Sequence, residues 1–150
     1  MTDVADLVAE LRRAPLSSAA VLMRALGLGS QATLSRLVTR AGEEIVPIGK
    51  ARARRYAAAR DVRGLGTALP LFRVDVDGKL SGIGTLRPFA PEGFAIDAPA
   101  ALPRWMRGQA ADGVFAGVPV FLADARPQGF LGRTFARRHG SGREETGRMS

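Results

Sequence analysis

Between Ser30 and Arg40 the chain reads SQATLSRLVTR, and its polar side chains have the types and spacing to hydrogen-bond with the edges of bases. At helical spacing Leu34, Leu37, Val38 and Ala41 form an aliphatic stripe, which leaves Gln31, Thr33, Ser35, Arg36, Thr39 and Arg40 on the remaining surface. Amide, hydroxyl and guanidinium groups are what a major groove can pair with. Arg36 is the strongest candidate base reader, because a guanidinium can bridge O6 and N7 of guanine. Further on, the run GKARARR gathers Lys50, Arg52, Arg54 and Arg55, which suit phosphates or an adjacent minor groove. The plainer alternatives are a solvated helix face used for protein contacts and a generic basic surface turn.

Side chains of this kind act only if a frame holds them. Val4, Leu7, Val8 and Leu11 recur at helical spacing after Asp3, a candidate N-cap, and Pro15 stops that first helix. A second helix from about Ser18 to Leu26 is expected to turn Val21, Leu22, Ala25 and Leu26 inward and to end at a left-handed Gly27. Gly29 and Ser30 restart the chain, Ser30 caps the third helix, and Gly42 closes it. A short glycine-bearing turn sets two helices at a steep angle, so Ser17 to Arg40 reads as a helix-turn-helix. Ile45, Val46 and Ile48 predict a short strand that Pro47 confines to a sheet edge; after the GKARA turn, Arg54 to Ala58 runs back. Residues 1–60 are therefore expected to form a winged helix-turn-helix DNA-binding domain, with double-stranded DNA as its partner.

Composition agrees with that expectation. The 150 residues carry 22 Lys and Arg against 14 Asp and Glu, a formal charge of +8. Residues 1–60 hold 10 basic and 5 acidic groups and residues 61–150 hold 12 and 9, so the shorter part is the more basic. Such a balance favours polyanionic partners and says nothing about fold. An apolar fraction of 46% is enough for real cores and excludes disorder throughout. With no cysteine, disulfides and thiolate metal sites are ruled out, and the single His139 cannot build an imidazole site alone. No metal and no cofactor are expected. The absence of a long apolar run or a signal-peptide core points to a cytoplasmic protein without a membrane partner.

After the glycine-rich stretch 61–70, which reads as a linker, LFRVDVDGKLSGIGTL predicts a hairpin: Leu71 to Val76 and Lys79 to Leu86 are β-prone, and Asp77-Gly78 suits a two-residue turn with positive φ at both positions. Gly93 to Asp97 predicts a third strand, PAALPRWMRGQA a short helix with its loops, and Pro119 to Ala125 another helix that Pro127 ends. Residues 140–150 lack an apolar face and are expected to be disordered. The fold class is α+β. Asp75 and Asp77 imitate a calcium loop, but Leu86 stands where its closing glutamate belongs. Gly82 and Gly84 imitate a phosphate cradle without the Gly-Lys-Ser/Thr that would follow, so a strand with close backbone approach is the better reading. Asp112, Asp124 and His139 share no spacing logic, so no catalytic residue is assigned. Trp105, Phe121 and Phe130 read as core or interface aromatics.

The hairpin LFRVDVDGKLSGIGTL followed by VPVFLADARPQGFLGR resembles the N-terminal subdomain of the HipA family of toxin kinases, in particular YjjJ-type members that carry a winged helix-turn-helix in front. Gly84-Thr85-Leu86 stands where such proteins end the hairpin, and Arg126-Pro127-Gln128-Gly129 where a turn leads toward the kinase core. The resemblance covers most of residues 1–139. It implies a small β-rich HipA N-terminal-like subdomain over residues 71–139. Phosphoryl transfer in that family needs a nucleotide-binding lobe and two aspartates expected downstream of Ser150. The closing GSGREETGRMS reads like the tail of a truncated or frameshifted gene. The resemblance thus implies a DNA-binding, transcriptional regulator-like module of a truncated toxin-antitoxin kinase homologue, without phosphotransfer activity and with a self-association or partner surface. The alternative it implies is an interaction subunit that docks on a separately encoded HipA-like serine/threonine kinase through Phe121, Leu122, Arg126, Phe130 and Leu131.

Overall fold

The computed structural model describes residues 2–106 and 113–123. Its first helix, α1 (Val4–Arg13), starts with a reciprocal cap: the Asp3 carboxylate accepts from the Asp6 amide at 3.0 Å, and the Asp6 carboxylate accepts from the Asp3 amide at 2.9 Å. At its other end the Ala14 amide donates to the Glu10 carbonyl at 2.8 Å, ahead of Pro15. Arg13 pairs with Glu10 at 2.6 Å and holds that carboxyl below its ordinary range, first through the hydrogen bond itself. Ser18 caps α2 (Ala19–Ala25), and Gly27 takes φ +62 after it. Ser30 caps α3 (Gln31–Ala41), whose end at Gly42 has φ +54.

One part of the expected helix packing is corrected. On α2 only Leu22 is buried; Ala19, Met23 and Leu26 pack partly against the core, while Ala25 is exposed and Val21 is 47% exposed. The buried stripe follows i, i+3, i+4, i+7 from Ala19, and the other stripe of a two-turn helix satisfies nearly the same periodicity. Leu7, Val8 and Leu11 of α1 and Leu34, Leu37 and Ala41 of α3 close around Leu22, joined by Ile45 and Ala58 from the strands that come next.

Three short strands, β1 (Ser17–Ser18), β2 (Ile45–Ile48) and β3 (Arg55–Ala58), form an antiparallel sheet in the order β1-β3-β2. β2 is an edge strand, as Pro47 requires, and Pro47 is exposed. Leu16, at φ +62, turns the chain after Pro15 so that Ser17 and Ser18 lie beside Tyr56 and Arg55. Two residues carry no periodicity of their own, so β1 was invisible in the sequence.

The second sheet runs β4 (Leu69–Val74), β5 (Leu80–Phe89), β6 (Gly93–Asp97) and β7 (Val114–Phe115), in that order and antiparallel throughout. Leu69 and Pro70, read as the end of a linker, already belong to β4. Before them both Asp61 carboxylate oxygens accept backbone amides, from Gly64 and Gly66, at 2.6 Å. The β4–β5 turn differs from the expected two-residue form. Val74 pairs with Leu80, and only Gly78 of the Asp77-Gly78 pair has a positive φ. The Asp75 carboxylate organises the loop by accepting from the amides of Asp77 at 3.0 Å and Lys79 at 2.8 Å. A register shift between Leu71 and Phe72 leaves Ile83 unpaired as a bulge between Gly82 and Gly84.

The two sheets share material. Ala59 bridges to Phe89, the Arg60 amide donates to the Pro88 carbonyl at 3.0 Å, and the Ala90 amide donates to the Ala58 carbonyl at 2.9 Å. Val46, Ile48 and Ala57 of the first sheet form one buried cluster with Phe89 and Ala95 of the second. In the segment expected to hold a short helix, the described residues, which end at Met106, form a 3-10 turn at Arg104–Met106. Beyond Val118 a separate unit begins, of which α4 (Val120–Ala123) is described; its Leu122 amide donates to the Pro119 carbonyl at 2.9 Å. The class is α+β. Among the described residues no helix is long and apolar enough to cross a membrane.

Candidate nucleic-acid interface

The sequence of α3 divides in space, with Ala32 the one apolar residue on the exposed side. Leu34, Leu37 and Ala41 are buried, Val38 is half-buried, and Gln31, Thr33, Ser35, Arg36, Thr39 and Arg40 are all exposed. Some of those polar groups already have local partners. Ser30 Oγ accepts from the Thr33 amide at 3.2 Å and shares a hydrogen bond with Thr33 Oγ1 at 3.0 Å. Thr39 Oγ1 donates to the Ser35 carbonyl one turn back at 2.9 Å. Ser30 and Thr33 therefore fix where the helix starts. Gln31, Ser35, Arg36 and Arg40 keep side-chain donors with no partner among the described residues. Arg36 and Arg40 are four residues apart, hence neighbours on one face.

The second basic set lies on the β2–β3 hairpin. Gly49 at φ +80 and Ala51 at φ +48 bend the chain into a 3-10 turn at Ala51–Ala53. A side chain at Gly49 would press on the Ala53 carbonyl oxygen, so this tight turn needs glycine there. Lys50, Arg52, Arg54 and Arg55 are exposed. Arg55 differs from the others in donating through Nη1 to the Leu16 carbonyl at 3.4 Å, which ties it to β1. Among the described residues the only ion pair is Arg13–Glu10, so neither Arg36 and Arg40 nor the hairpin cations are matched by a carboxylate. Both α3 and the hairpin root in the same buried cluster, through Leu34, Leu37 and Ala41 on one side and Ile45 and Ala58 on the other.

Of the side chains expected to dock a partner, Phe121 and Leu122 lie on α4 and are half-buried. Arg126, Phe130 and Leu131 lie outside the described residues, as do Asp112, Asp124, His139, the Arg126–Gly129 turn and residues 140–150. Sequence reasoning missed two features. The outer half of the β4–β5 hairpin carries Phe72 at 57%, Val74 at 62%, Leu80 at 64% and a fully exposed Val76. Alternating β-prone residues predict a strand but not which of its faces goes uncovered. The other is Arg87, which sits on β5 with its Nε buried and lacking a partner among the described residues. Nothing in its local pattern sets it apart from other strand arginines.

Residues 65–145, more than half of the chain, match the family described as YjjJ-like toxin, middle domain. Over 139 residues the chain is 38% identical to "Toxin YjjJ" of Escherichia coli (strain K12). That alignment covers 92% of this chain and 28% of the relative, so the chain spans under a third of the length of the protein it matches. No solved structure matches the chain. The family match falls on the second sheet and the residues after it, and the longer alignment reaches across the helices as well. The chain belongs to the YjjJ-like toxin family.

Proposed function

We propose that residues 1–60 bind duplex DNA as a winged helix-turn-helix, with α3 in the major groove and the β2–β3 turn as the wing. One observation carries this reading: Leu34, Leu37, Val38 and Ala41 of α3 are taken up by packing, and every polar position of the helix faces solvent. Arg36 and Gln31 read bases, because their donors are uncommitted and multiple. Arg40, Lys50, Arg52 and Arg54 contact phosphates and set the docking register. Arg55 serves the sheet first and DNA second. Residues 61–68 join this domain to a HipA N-terminal-like subdomain that opens with β4 at Leu69.

For this stretch of the family the role is binding rather than catalysis. Five of its carboxylates have structural duties: Asp3 and Asp6 cap α1, Glu10 pairs with Arg13, and Asp61 and Asp75 hold turns. The relative's toxin activity, and any phosphoryl transfer, belong in this reading to sequence outside the matched 28%. The direct test is selection of bound duplexes from a random pool by the full chain. A recurring motif supports the proposal, and recovery of unenriched sequence contradicts it.

A second reading is favoured by the exposed apolar hairpin. Phe72, Val74, Val76 and Leu80 lie on two adjacent strands and the turn between them, whereas singly scattered surface apolars need no explanation. In this reading the β4–β5 hairpin docks on a HipA-like kinase core. Co-expression of the chain with such a core tests it. Co-purification that Phe72→Ser abolishes supports docking, and separate elution contradicts it.

A further inference from the structure

A cavity of about 340 Å³ opens between the tip of the β2–β3 hairpin and strands β5 and β6. Lys50 and Arg54 come to it from the hairpin, Arg87 from β5, and Asp97 from the end of β6. Val46 and Ile48, both buried, supply apolar wall. None of the three cations has a carboxylate within ion-pair distance among the described residues, Asp97 included. Arg87 is the most telling of them. It is half-buried, its Nε is shut off, and that N–H meets no acceptor among the described residues. The shut-off Nε leaves the terminal guanidinium nitrogens as the donors Arg87 can offer to the recess, and with Lys50 and Arg54 in the same lining they make a donor set for a multiply charged anion. The volume is at the lower end of those that take small organic ligands.

We propose that this cavity binds the phosphate of a small phosphomonoester. Arg87 is its inner partner, and Lys50 and Arg54 close on it from the hairpin. Asp97 accepts a hydroxyl of the organic part, which separates an ester from bare phosphate. The binding does not depend on the DNA reading. One consequence does: Lys50 and Arg54 are also the wing cations, so the ester and duplex DNA compete for them.

The test is isothermal titration of the full chain, at fixed ionic strength, with ribose 5-phosphate, inorganic phosphate and ribose. Ribose 5-phosphate is expected to bind most tightly, inorganic phosphate more weakly, and ribose not at all. Arg87→Gln should weaken both phosphates at least tenfold, and Asp97→Asn should remove the advantage of the ester. If Arg87→Gln fails to fold by circular dichroism, the double variant Lys50→Ala/Arg54→Ala, which alters exposed side chains only, should still weaken both. No heat with either phosphate, or affinities unchanged in the folded variants, overturns the proposal. Duplex DNA titrated in parallel keeps the two readings apart. Phosphate binding without duplex binding leaves the cavity and removes the DNA reading; duplex binding without ester binding does the reverse.

Discussion

Gly82 and Gly84 stand two residues apart on β5, and the structure gives them opposite responses to the same added methyl group. A Cβ at Gly84 would fall on the Asp97 carbonyl oxygen, with the Ala98 Cα at 3.1 Å and its Cβ at 3.2 Å. Two of these neighbours are backbone, so no rotamer change relieves the overlap; β5 and β6 must part where Thr85 pairs with Asp97. Overpacking of this kind costs about 1–3 kcal/mol. At Gly82 an added Cβ meets nothing within 4 Å and φ is not positive. There alanine should stabilise by about 0.4–1 kcal/mol, through the lower entropy of the unfolded chain. For a unit the size of Met1–Val118, about 1 kcal/mol moves Tm by roughly 4 °C. Gly84→Ala is thus expected to melt about 4–12 °C below the parent, and Gly82→Ala about 2–4 °C above it. Circular dichroism melts of the two variants, checked by urea midpoints, measure the contrast. A Gly84→Ala protein as stable as Gly82→Ala would refute the close approach of β5 to the end of β6, and with it the geometry of the cavity beside Asp97.

Three further outcomes rest on the same geometry. Ser30→Ala removes the acceptor for the Thr33 amide and should cost about 1 kcal/mol, whereas Ser30→Gly should cost a few tenths; urea unfolding of both checks that the loss comes from the cap. Arg36→Ala should leave stability within about 0.5 kcal/mol, because the side chain is exposed, and should lower affinity for a selected duplex by about 1–3 kcal/mol with relaxed preference at one position. Competition binding against single-base variants reads that loss. Arg52→Ala should weaken all duplexes alike and reduce the slope of log affinity against log salt by about one, measured by anisotropy across a salt series.

How far the sequence could be read depended on how local each signal was. Both caps of α3, its stripe and its polar face were legible, because Ser30, Gly42 and the Leu34–Leu37 spacing act within a few residues. The capping residue of α1 and the limits of β6 were legible for the same reason. The inward face of α2 was not, since a seven-residue helix offers two overlapping stripes and only tertiary packing chooses Ala19, Leu22, Met23 and Leu26. The turn at Asp75–Lys79 was half legible: Gly78 does adopt positive φ, but the Asp75 carboxylate makes a longer loop more favourable than the two-residue form. Least legible was everything that joins distant segments. The bridge from Ala59 to Phe89, the cluster of Val46, Ile48 and Ala57 with Phe89 and Ala95, and the meeting of Lys50 and Arg54 with Arg87 all depend on chain positions at least 30 residues apart. Among the candidate site residues, exposure was readable from type and spacing. The local ties of Thr39 to Ser35 and of Arg55 to Leu16 were not.

The central claim is that the solvent face of α3 recognises duplex DNA. Its most direct measurement is the anisotropy of a selected duplex and a scrambled duplex of equal length, each titrated with the full chain at low and at near-physiological salt. The claim predicts that affinity for the scrambled duplex collapses with salt, while the selected one keeps an advantage of about 4 kcal/mol or more. Equal affinities at both salt concentrations, or binding to heparin as tight as to the selected duplex, would contradict it.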